Sequence, residues 1–272
     1  MSHPTRACLR TAVGAAALIV ATTAAQAAVV DVTVTVQNLA PSNSISFAPL
    51  HAAFNSGTFD AFDLGGVATA AIISVAEGGV GGLWQAAFAA AEPNAVRGTI
   101  AGLLQPGATR SLTFRVDTAI NPFFTFGAMA VPSNDLFIGN DSPTEYRVLD
   151  AAGNLLLPRI TVGAVEIWDA GSEVFDPAAA AFVGNNGLRR AQNSVVAFNF
   201  AEFAGFNGLT TGAGYVFNSA LTADSDVYQI DFSVAAVPEP GSYALMAAGL
   251  MAVGFVARRR RPDTAPGRGA TA

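Results

Sequence analysis

The stretch Val30-Asp-Val-Thr-Val-Thr-Val-Gln37 decides the fold, because it alternates apolar and polar side chains without interruption. Successive side chains of a β-strand point to opposite faces, so this pattern predicts a strand whose valines face a core and whose polar side chains face water. A second stretch, Ser111-Leu-Thr-Phe-Arg-Val-Asp117, alternates in the same way and places Leu112, Phe114 and Val116 on its apolar face. Both stretches predict sheets with one buried face and one wet face.

Shorter apolar or alternating stretches, separated by turns rich in Gly, Pro and Asn, continue along the chain. The nearly continuous apolar run at 123–131 predicts a central strand, since both faces of such a strand are covered. Apolar, alanine-containing segments at 67–76 and 83–91 predict short helices. Further strands are predicted at 136–139, 162–168, 194–200 and 227–234. Many short strands with little helix predict an all-β fold, a single antiparallel β-sandwich over residues 28–236.

Residues 1–27 have the composition of a secretory signal peptide. Arg6 and Arg10 form the charged region, an apolar stretch follows, and Ala25-Gln26-Ala27 supplies the small residues, Ala25 and Ala27, of a cleavage site. A mitochondrial transit peptide and a first transmembrane helix are the alternatives. Cys8 precedes the apolar stretch instead of following it, so a lipoprotein signal is not supported.

Three ordered features mark the other end of the chain: Val237-Pro238-Glu239-Pro240, an apolar run at 244–257, and four consecutive arginines. The two prolines interrupt any preceding strand, because each removes a backbone donor. The apolar run has no charge and predicts a transmembrane helix about 20–25 Å long, at or just under the hydrocarbon thickness of a bilayer. Arginines remain on the cytoplasmic side of a membrane. They are Arg258, Arg259, Arg260 and Arg261, and residues 262–272 then form a cytoplasmic tail.

Together these three features resemble the PEP-CTERM sorting signal of Gram-negative bacteria, over residues 237–261. The resemblance implies export by the Sec machinery, transient anchoring in the inner membrane, and processing by an exosortase near the Pro-Glu-Pro. It also implies delivery to the cell surface or to an extracellular polysaccharide matrix. An ordinary tail anchor and a buried C-terminal helix are the alternatives.

Charge is distributed unevenly along the chain. The net charge is −6, with 14 basic residues that are all arginine. Half of the arginines lie in the terminal segments, so residues 28–241 hold seven arginines and nineteen acidic residues, a net charge of −12. This acidic body argues against nucleic-acid binding, which depends on neutralising phosphates. It is compatible with calcium binding or with solubility in a crowded matrix.

Residues able to carry covalent or acid–base catalysis are scarce. The only cysteine, Cys8, lies in the leader, and His51 is the one histidine outside it. Motifs of hydrolases, zinc proteases and nucleotide-binding enzymes are absent from the sequence. His51 is predicted to be a structural hydrogen-bonding group, and Trp84 and Trp168 are predicted to pack in the core instead of stacking on sugars. The sequence therefore predicts a protein that is not an enzyme.

Two longer motifs resemble those of the spondin domain: Met129-Ala-Val-Pro-Ser-Asn-Asp-Leu-Phe-Ile-Gly139 and Val165-Glu-Ile-Trp-Asp-Ala-Gly-Ser-Glu173. The resemblance covers roughly residues 30–234 and includes the opening strand. It implies an antiparallel β-sandwich similar to C2 domains, a bound calcium ion and an adhesive role.

By position in these motifs, the calcium ligands are Asp135, Asp169 and Glu173, with Asp176 a weaker candidate. Calcium prefers several oxygen ligands in a flexible arrangement, which carboxylates on loops at strand ends can supply. Gly171 would let one loop direct Asp169 and Glu173 towards the same point. Glu173 departs from the aspartate that animal members usually carry there. The competing interpretation is that these are ordinary loop acids that cap turns.

The predicted function is therefore a non-enzymatic, exported protein of the surface or matrix, with an adhesive module whose partner the sequence does not identify. A carbohydrate-binding module of the polysaccharide matrix is the first alternative, and a hydrolase that uses paired carboxylates is the second.

Overall fold

The computed structural model describes residues 28–237 and 240–259 of the chain. All strand pairs within these residues are antiparallel and helices are few, which confirms the predicted β-rich, antiparallel class. The strands are β1 (Val29–Asn38), β2 (Ser46–Phe47), β3 (Leu50–Asn55), β4 (Val96–Ile100), β5 (Thr109–Asp117), β6 (Phe123–Val131), β7 (Leu136–Gly139), β8 (Arg159–Gly163), β9 (Trp168–Asp169), β10 (Ala197–Phe198) and β11 (Asp226–Ala236). The helices are α1 (Ala70–Gly78), α2 (Gly82–Ala91) and α3 (Pro240–Arg259).

Strand β1 lies inside a four-stranded sheet of order β5-β1-β11-β8. Its inward valines are buried, as the alternation predicts. On the outward face, Asp31 forms an ion pair with Arg115 of β5 at 3.0 Å, and the hydroxyls of Thr33 and Thr113 lie 2.9 Å apart. Exposed ion pairs contribute only about 0–1 kcal/mol each, so the buried valines account for more of the stability of this sheet.

The larger, seven-stranded sheet has the order β10-β9-β7-β6-β3-β4, and β2 pairs with β6 beside this path. Strand β6 lies within the sheet and is buried on both faces, which confirms the central strand predicted from the apolar run at 123–131.

The two sheets share one hydrophobic core. Phe54 of β3 contacts Phe114 of β5 with ring centroids 5.5 Å apart, and Phe124 of β6 contacts Phe232 of β11 at 4.9 Å. These rings belong to opposite sheets, so the apolar faces pack against each other. This arrangement is compatible with a β-sandwich.

Both predicted short helices are present, at α1 and α2. They pack on the other face of the large sheet, where a second core cluster contains Trp84, Phe88, Phe137 and Trp168. Trp84 is fully buried there and Trp168 almost so, which confirms that both indoles pack in the core. The helices close the face of the large sheet that the four-stranded sheet leaves uncovered.

The strand predicted at 162–168 is wrong as a single element. Strand β8 ends at Gly163, a 3-10 turn follows at Ala164–Glu166, and β9 begins at Trp168. The carboxylate of Glu166 accepts a hydrogen bond from the Gly163 backbone N–H at 2.6 Å, which stabilises the turn between the two strands.

The strand predicted at 194–200 is also too long, since only Ala197–Phe198 pairs, as β10. A 3-10 segment at Phe200–Phe206 follows directly and ends the strand. It carries two phenylalanines, Phe203 and Phe206, into the core between the sheets.

Strand β11 continues two residues beyond the predicted 227–234, to Ala236, which pairs with Val30. Helix α3 then begins at Pro240, and its side chains Met246, Leu250, Met251 and Val253 are 62–69% exposed. No helix within residues 28–237 and 240–259 is long and apolar enough to cross a membrane. The predicted transmembrane span is therefore not supported, because the uncharged run at 244–257 covers about 21 Å as a helix and a bilayer core is about 30 Å thick.

Several predictions fall on residues outside those that the structure describes. They are the signal peptide 1–27 with Ala25 and Ala27, the motif residues Pro238 and Glu239, Arg260 and Arg261, and the tail 262–272.

Candidate functional site

Asp135 occupies the turn that leads into β7 and is only 1% exposed. Its Oδ2 accepts hydrogen bonds from the Ser172 backbone N–H at 2.7 Å, the Ser172 hydroxyl at 3.0 Å and the Glu173 backbone N–H at 2.9 Å. These donors lie on the loop after β9, so this carboxylate joins the two segments that carry the predicted site. Asp135 does more than cap its own turn.

Asp169 ends β9 and is also buried. Its Oδ1 accepts from the Gly171 backbone N–H at 2.7 Å, which is the turn-capping role considered above. Its Oδ2 accepts from the Asn199 side-chain amide at 2.9 Å. Gly171 has φ +65°, and a Cβ there would lie 2.7 Å from the Val195 carbonyl oxygen, so the loop requires glycine at this position.

A third carboxylate, Glu202, joins this pair, and no sequence motif pointed to it. It lies on the 3-10 segment after β10, and its Oε2 accepts from the same Asn199 amide at 3.0 Å. Its Oε1 is buried without a hydrogen-bond partner. Asn199 therefore connects Asp169 with Glu202. We call Asp135, Asp169 and Glu202 the acidic cluster.

Burial and mutual repulsion disfavour the ionised forms of two carboxylates in the acidic cluster. Burial raises the pKa of Asp135 to about 6, and the charge of Asp169 adds to the shift. Burial raises the pKa of Glu202 to about 8, and the charges of Asp169 and Asp135 contribute as well. Buried carboxylates that repel one another in this way are stabilised by a cation or by protons.

Glu173 lies close enough to Asp135 for their charges to interact, and it also pairs with a basic residue. It is buried, and its Oε1 forms an ion pair with Arg189 Nε at 3.3 Å, while its Oε2 has no hydrogen-bond partner. Burial raises the pKa of Glu173 to about 7, and the Arg189 charge opposes that shift. Asp176 caps the turn at Pro177–Ala179 through the Ala178 backbone N–H at 2.9 Å, the role of an ordinary loop acid.

Among residues 28–237 and 240–259, no group of three or more His, Cys, Asp or Glu side chains is arranged to hold a metal ion. The three carboxylates of the acidic cluster are nevertheless hard oxygen donors of the kind that calcium prefers, whereas Asn199 presents its amide N–H groups to two of them. Binding would require the carboxylates to move closer together and the remaining ligands to come from carbonyl groups or water.

His51 is buried, and its two ring nitrogens have structural partners. Nε2 lies 3.2 Å from the Gly79 carbonyl oxygen and Nδ1 lies 3.0 Å from the Thr99 hydroxyl. A carbonyl only accepts, so Nε2 carries the proton and Nδ1 accepts from Thr99. Burial lowers the pKa of His51, against the opposing effect of the Gly79 bond, and favours this neutral form. The geometry supports the predicted structural role.

The loop before α2 provides a test of this packing. A Cβ on Gly81 would overlap the imidazole ring of His51, whereas a Cβ on Gly82 would meet nothing within 4 Å. We expect Gly81→Ala to lower the free energy of unfolding by about 1–3 kcal/mol. Gly82→Ala is expected to raise it by up to about 1 kcal/mol, because alanine restricts the unfolded chain. Urea unfolding measures both, and equal effects of the two substitutions would contradict the overlap.

Comparison with protein families identifies a PEP-CTERM protein-sorting motif at residues 236–261. It begins at the last residue of β11 and extends past the end of α3. A search among curated proteins found none that matches the chain. PEP-CTERM signals are processed by exosortase and direct exported proteins through membrane-associated sorting towards the cell surface. The chain therefore carries the signal of an exosortase-sorted, exported protein.

Proposed function

We propose that residues 28–236 form a spondin-like β-sandwich that serves as a non-enzymatic adhesive module on the surface, or in the polysaccharide matrix, of a Gram-negative bacterium. The observation that carries this proposal is the sorting motif joined to the last strand, because β11 ends at Ala236 and the motif starts there. No linker separates residues 28–236, which we call the body, from the sorting motif. The body is therefore the part of the protein that sorting delivers.

The route to the surface follows from the same tail. Sec export brings the body across the inner membrane, the sorting tail keeps it associated with that membrane transiently, and exosortase processes the tail near Pro-Glu-Pro. The exposed apolar side chains of α3, followed by four arginines, support a membrane-associated intermediate. The net charge of −12 for residues 28–241 supports solubility in a crowded matrix.

Calcium is the second part of the proposal, and the acidic cluster supports it. Asp135, Asp169 and Glu202 repel one another in a buried place, and Glu202 Oε1 has no hydrogen-bond partner. A calcium ion would neutralise this repulsion and connect the loop before β7, the loop after β9 and the segment after β10. The ion would thus stiffen one end of the large sheet. Glu173 is retained as a ligand only if it leaves Arg189.

We expect calcium to raise the melting temperature of the purified protein. At 100 times the Kd a ligand adds about 2.7 kcal/mol, which corresponds to about 5–10 °C for a body of this size. Asp169→Asn and Glu202→Gln should each abolish most of the shift, because each removes one charge from the ligand set. Differential scanning calorimetry with calcium, magnesium or a chelator measures the effect.

Asp224→Asn is the matched control, since Asp224 is exposed and lies outside the acidic cluster. The same variants test adhesion. Cells that make the normal protein should attach poorly to surfaces when chelator is added. Cells that make Asp169→Asn protein should attach equally poorly even when calcium is present. An unchanged melting temperature in millimolar calcium would reject the calcium site. Unchanged attachment in cells that lack the protein would reject the adhesive role, and turnover of a polysaccharide would point to the hydrolase instead.

A further inference from the structure

A cleft of about 340 Å³ lies on a different side of β9 and β10 from the acidic cluster. Trp168 and Asp169 are successive residues of one strand, so their side chains point to opposite faces, and Phe198, which pairs with Trp168 across the strands, lies on the same face as Trp168. The acidic cluster uses Asp169 and Asn199, whereas the cleft uses Trp168 and Phe198. The cleft also borders β8 and the loop after β7, and its volume falls within the range of small-molecule sites.

An aromatic platform forms one wall of the cleft. Phe198 is 48% exposed and stacks on Trp168 with ring centroids 4.0 Å apart and an angle of 27° between the planes. The indole is fixed from behind, because Trp168 Nε1 donates to the Gly139 carbonyl oxygen at 2.8 Å and Phe62 packs edge-on at 5.1 Å. A half-exposed ring on a fixed support is pre-organised to stack against a flat ligand.

Three carboxylates, Asp141, Glu145 and Glu166, share the lining with these rings, and no basic side chain is part of it among the described residues. Asp141 Oδ1 accepts from the Leu64 backbone N–H at 3.0 Å, and Glu166 Oε2 accepts from Gly163. Each therefore keeps a second carboxylate oxygen for other donors. Burial raises the pKa of Glu145, a hydrogen bond from Tyr146 opposes that shift, and the charges of Glu166 and Asp141 add to it, so Glu145 lies within electrostatic reach of both other carboxylates.

The lining defines the chemistry of its ligand. Carboxylates accept hydrogen bonds, so the ligand must donate them, and three like charges without a basic neighbour favour a positive one. The ligand must also present a flat apolar face that can stack on the exposed ring of Phe198. A hexosamine with a free amine meets all three conditions, because its pyranose ring presents C–H groups on one face, hydroxyl donors on its rim and an ammonium group. A lysine side chain provides the charge without the flat face, and a neutral sugar provides the face without the charge.

We propose that this cleft binds an amino-sugar unit of a polysaccharide, with Phe198 stacked on the sugar ring and Asp141, Glu145 and Glu166 receiving its ammonium and hydroxyl groups. This inference goes beyond adhesion through the calcium-stiffened body and does not require calcium. It gives the protein a direct contact with a matrix polymer that carries free amines.

Tryptophan fluorescence can test the site, since the chain has two tryptophans and Trp84 is fully buried in the core cluster beneath the helices. The full-length protein in mild detergent is titrated with a glucosamine hexamer, an N-acetylglucosamine hexamer and hexalysine. We expect a saturable change with the glucosamine hexamer only, weakened by added salt because the contact is charged. Phe198→Ala and Glu145→Gln should each raise the Kd at least tenfold.

Phe182→Ala is the matched control, because Phe182 is a more exposed phenylalanine that does not line the cleft. Its Kd should stay unchanged. Circular dichroism verifies that each variant is folded, and Glu145→Gln alters an exposed side chain if Phe198→Ala proves unstable. The proposal would be overturned by any of three results. The fluorescence does not respond to the glucosamine hexamer, the acetylated hexamer or hexalysine binds equally well, or neither cleft substitution changes the Kd. Adding chelator should leave the binding intact, which separates this test from that of the calcium site.

Discussion

Replacing Glu92 by alanine is expected to lower the free energy of unfolding by about 3–4 kcal/mol. Glu92 follows α2 and is only 5% exposed. Its carboxylate accepts four hydrogen bonds of 2.6–2.7 Å, from the backbone N–H groups of Ser56, Thr58 and Phe59 and from the Ser56 hydroxyl. Alanine would leave these donors without their partner in a largely closed environment, which is why the expected loss exceeds that of an ordinary hydrogen bond.

Loss of the Glu92 hydrogen bonds would also weaken packing in the second core cluster. The loop that Glu92 holds delivers Phe59 against Phe88, with ring centroids 4.3 Å apart, and against Trp84 at 6.0 Å. Glu92→Gln keeps one acceptor oxygen and should therefore cost about half as much as alanine. Urea unfolding measures both variants, and Asp226→Asn, an exposed acid at the start of β11, serves as the control. A change below about 0.5 kcal/mol for Glu92→Ala would show that the loop does not depend on this carboxylate.

The contribution of Glu92 also depends on pH. Burial opposes its ionisation, but the hydrogen bonds from Ser56, Phe59 and Thr58 outweigh that effect and hold the pKa below its usual value. Folding therefore gains stability from the ionised form above the unfolded pKa of about 4.3, and loses that stability as the pH falls through the lower, folded pKa. The stability difference between the normal protein and Glu92→Gln should accordingly be largest near pH 7 and shrink below pH 4.

Alternation along the chain predicted the strands that have one wet face. Strands β1, β5 and β11 belong to the four-stranded sheet, one side of which faces solvent. Buried and exposed residues therefore alternate along these strands, as apolar and polar residues do in the sequence. Strand β3 shows no such pattern, because it is buried on both faces between two cores, and no strand was predicted there. The division of 162–168 into two strands depends on a bond between Glu166 and Gly163, which no periodicity reveals.

Part of the acidic cluster could be predicted from the sequence. Asp135 and Asp169 could be named from their positions in the two motifs, and the structure brings them within electrostatic reach of each other. Glu202 was not predicted, because it lies 33 residues beyond Asp169 in a 3-10 segment for which the sequence predicted no element beyond residue 200. The ion pair of Glu173 with Arg189 was not predicted, because the two residues are separated by 15 others in the sequence. Contacts of this kind are decided by the tertiary fold.

Replacing Pro238, Glu239 and Pro240 together by alanine is expected to abolish C-terminal processing, so that the full-length form accumulates in the membrane fraction by at least tenfold. These residues lie within the sorting motif, and the proposal places exosortase processing near them, so the substitution removes the side chains on which processing would depend. The change should leave the body folded, since the last paired residue is Ala236, opposite Val30. Cell fractionation followed by mass spectrometry of the C-terminal peptide measures the outcome, and calorimetry should give an unchanged melting temperature.

Two further variants separate processing from anchoring. Replacing Arg258, Arg259, Arg260 and Arg261 by alanine removes the basic cluster of the sorting motif, so we expect the unprocessed protein to lose its membrane association as well. Arg268→Ala, in the tail beyond the motif, should behave as the normal protein does. A strain without exosortase should reproduce the Pro-Glu-Pro variant and leave the arginine variant unchanged. Normal processing of the Pro-Glu-Pro variant would mean that these residues do not direct processing. An unprocessed tail in the normal protein would mean that the tail acts as a simple anchor, and the surface function proposed for the body would then lose the observation on which it depends.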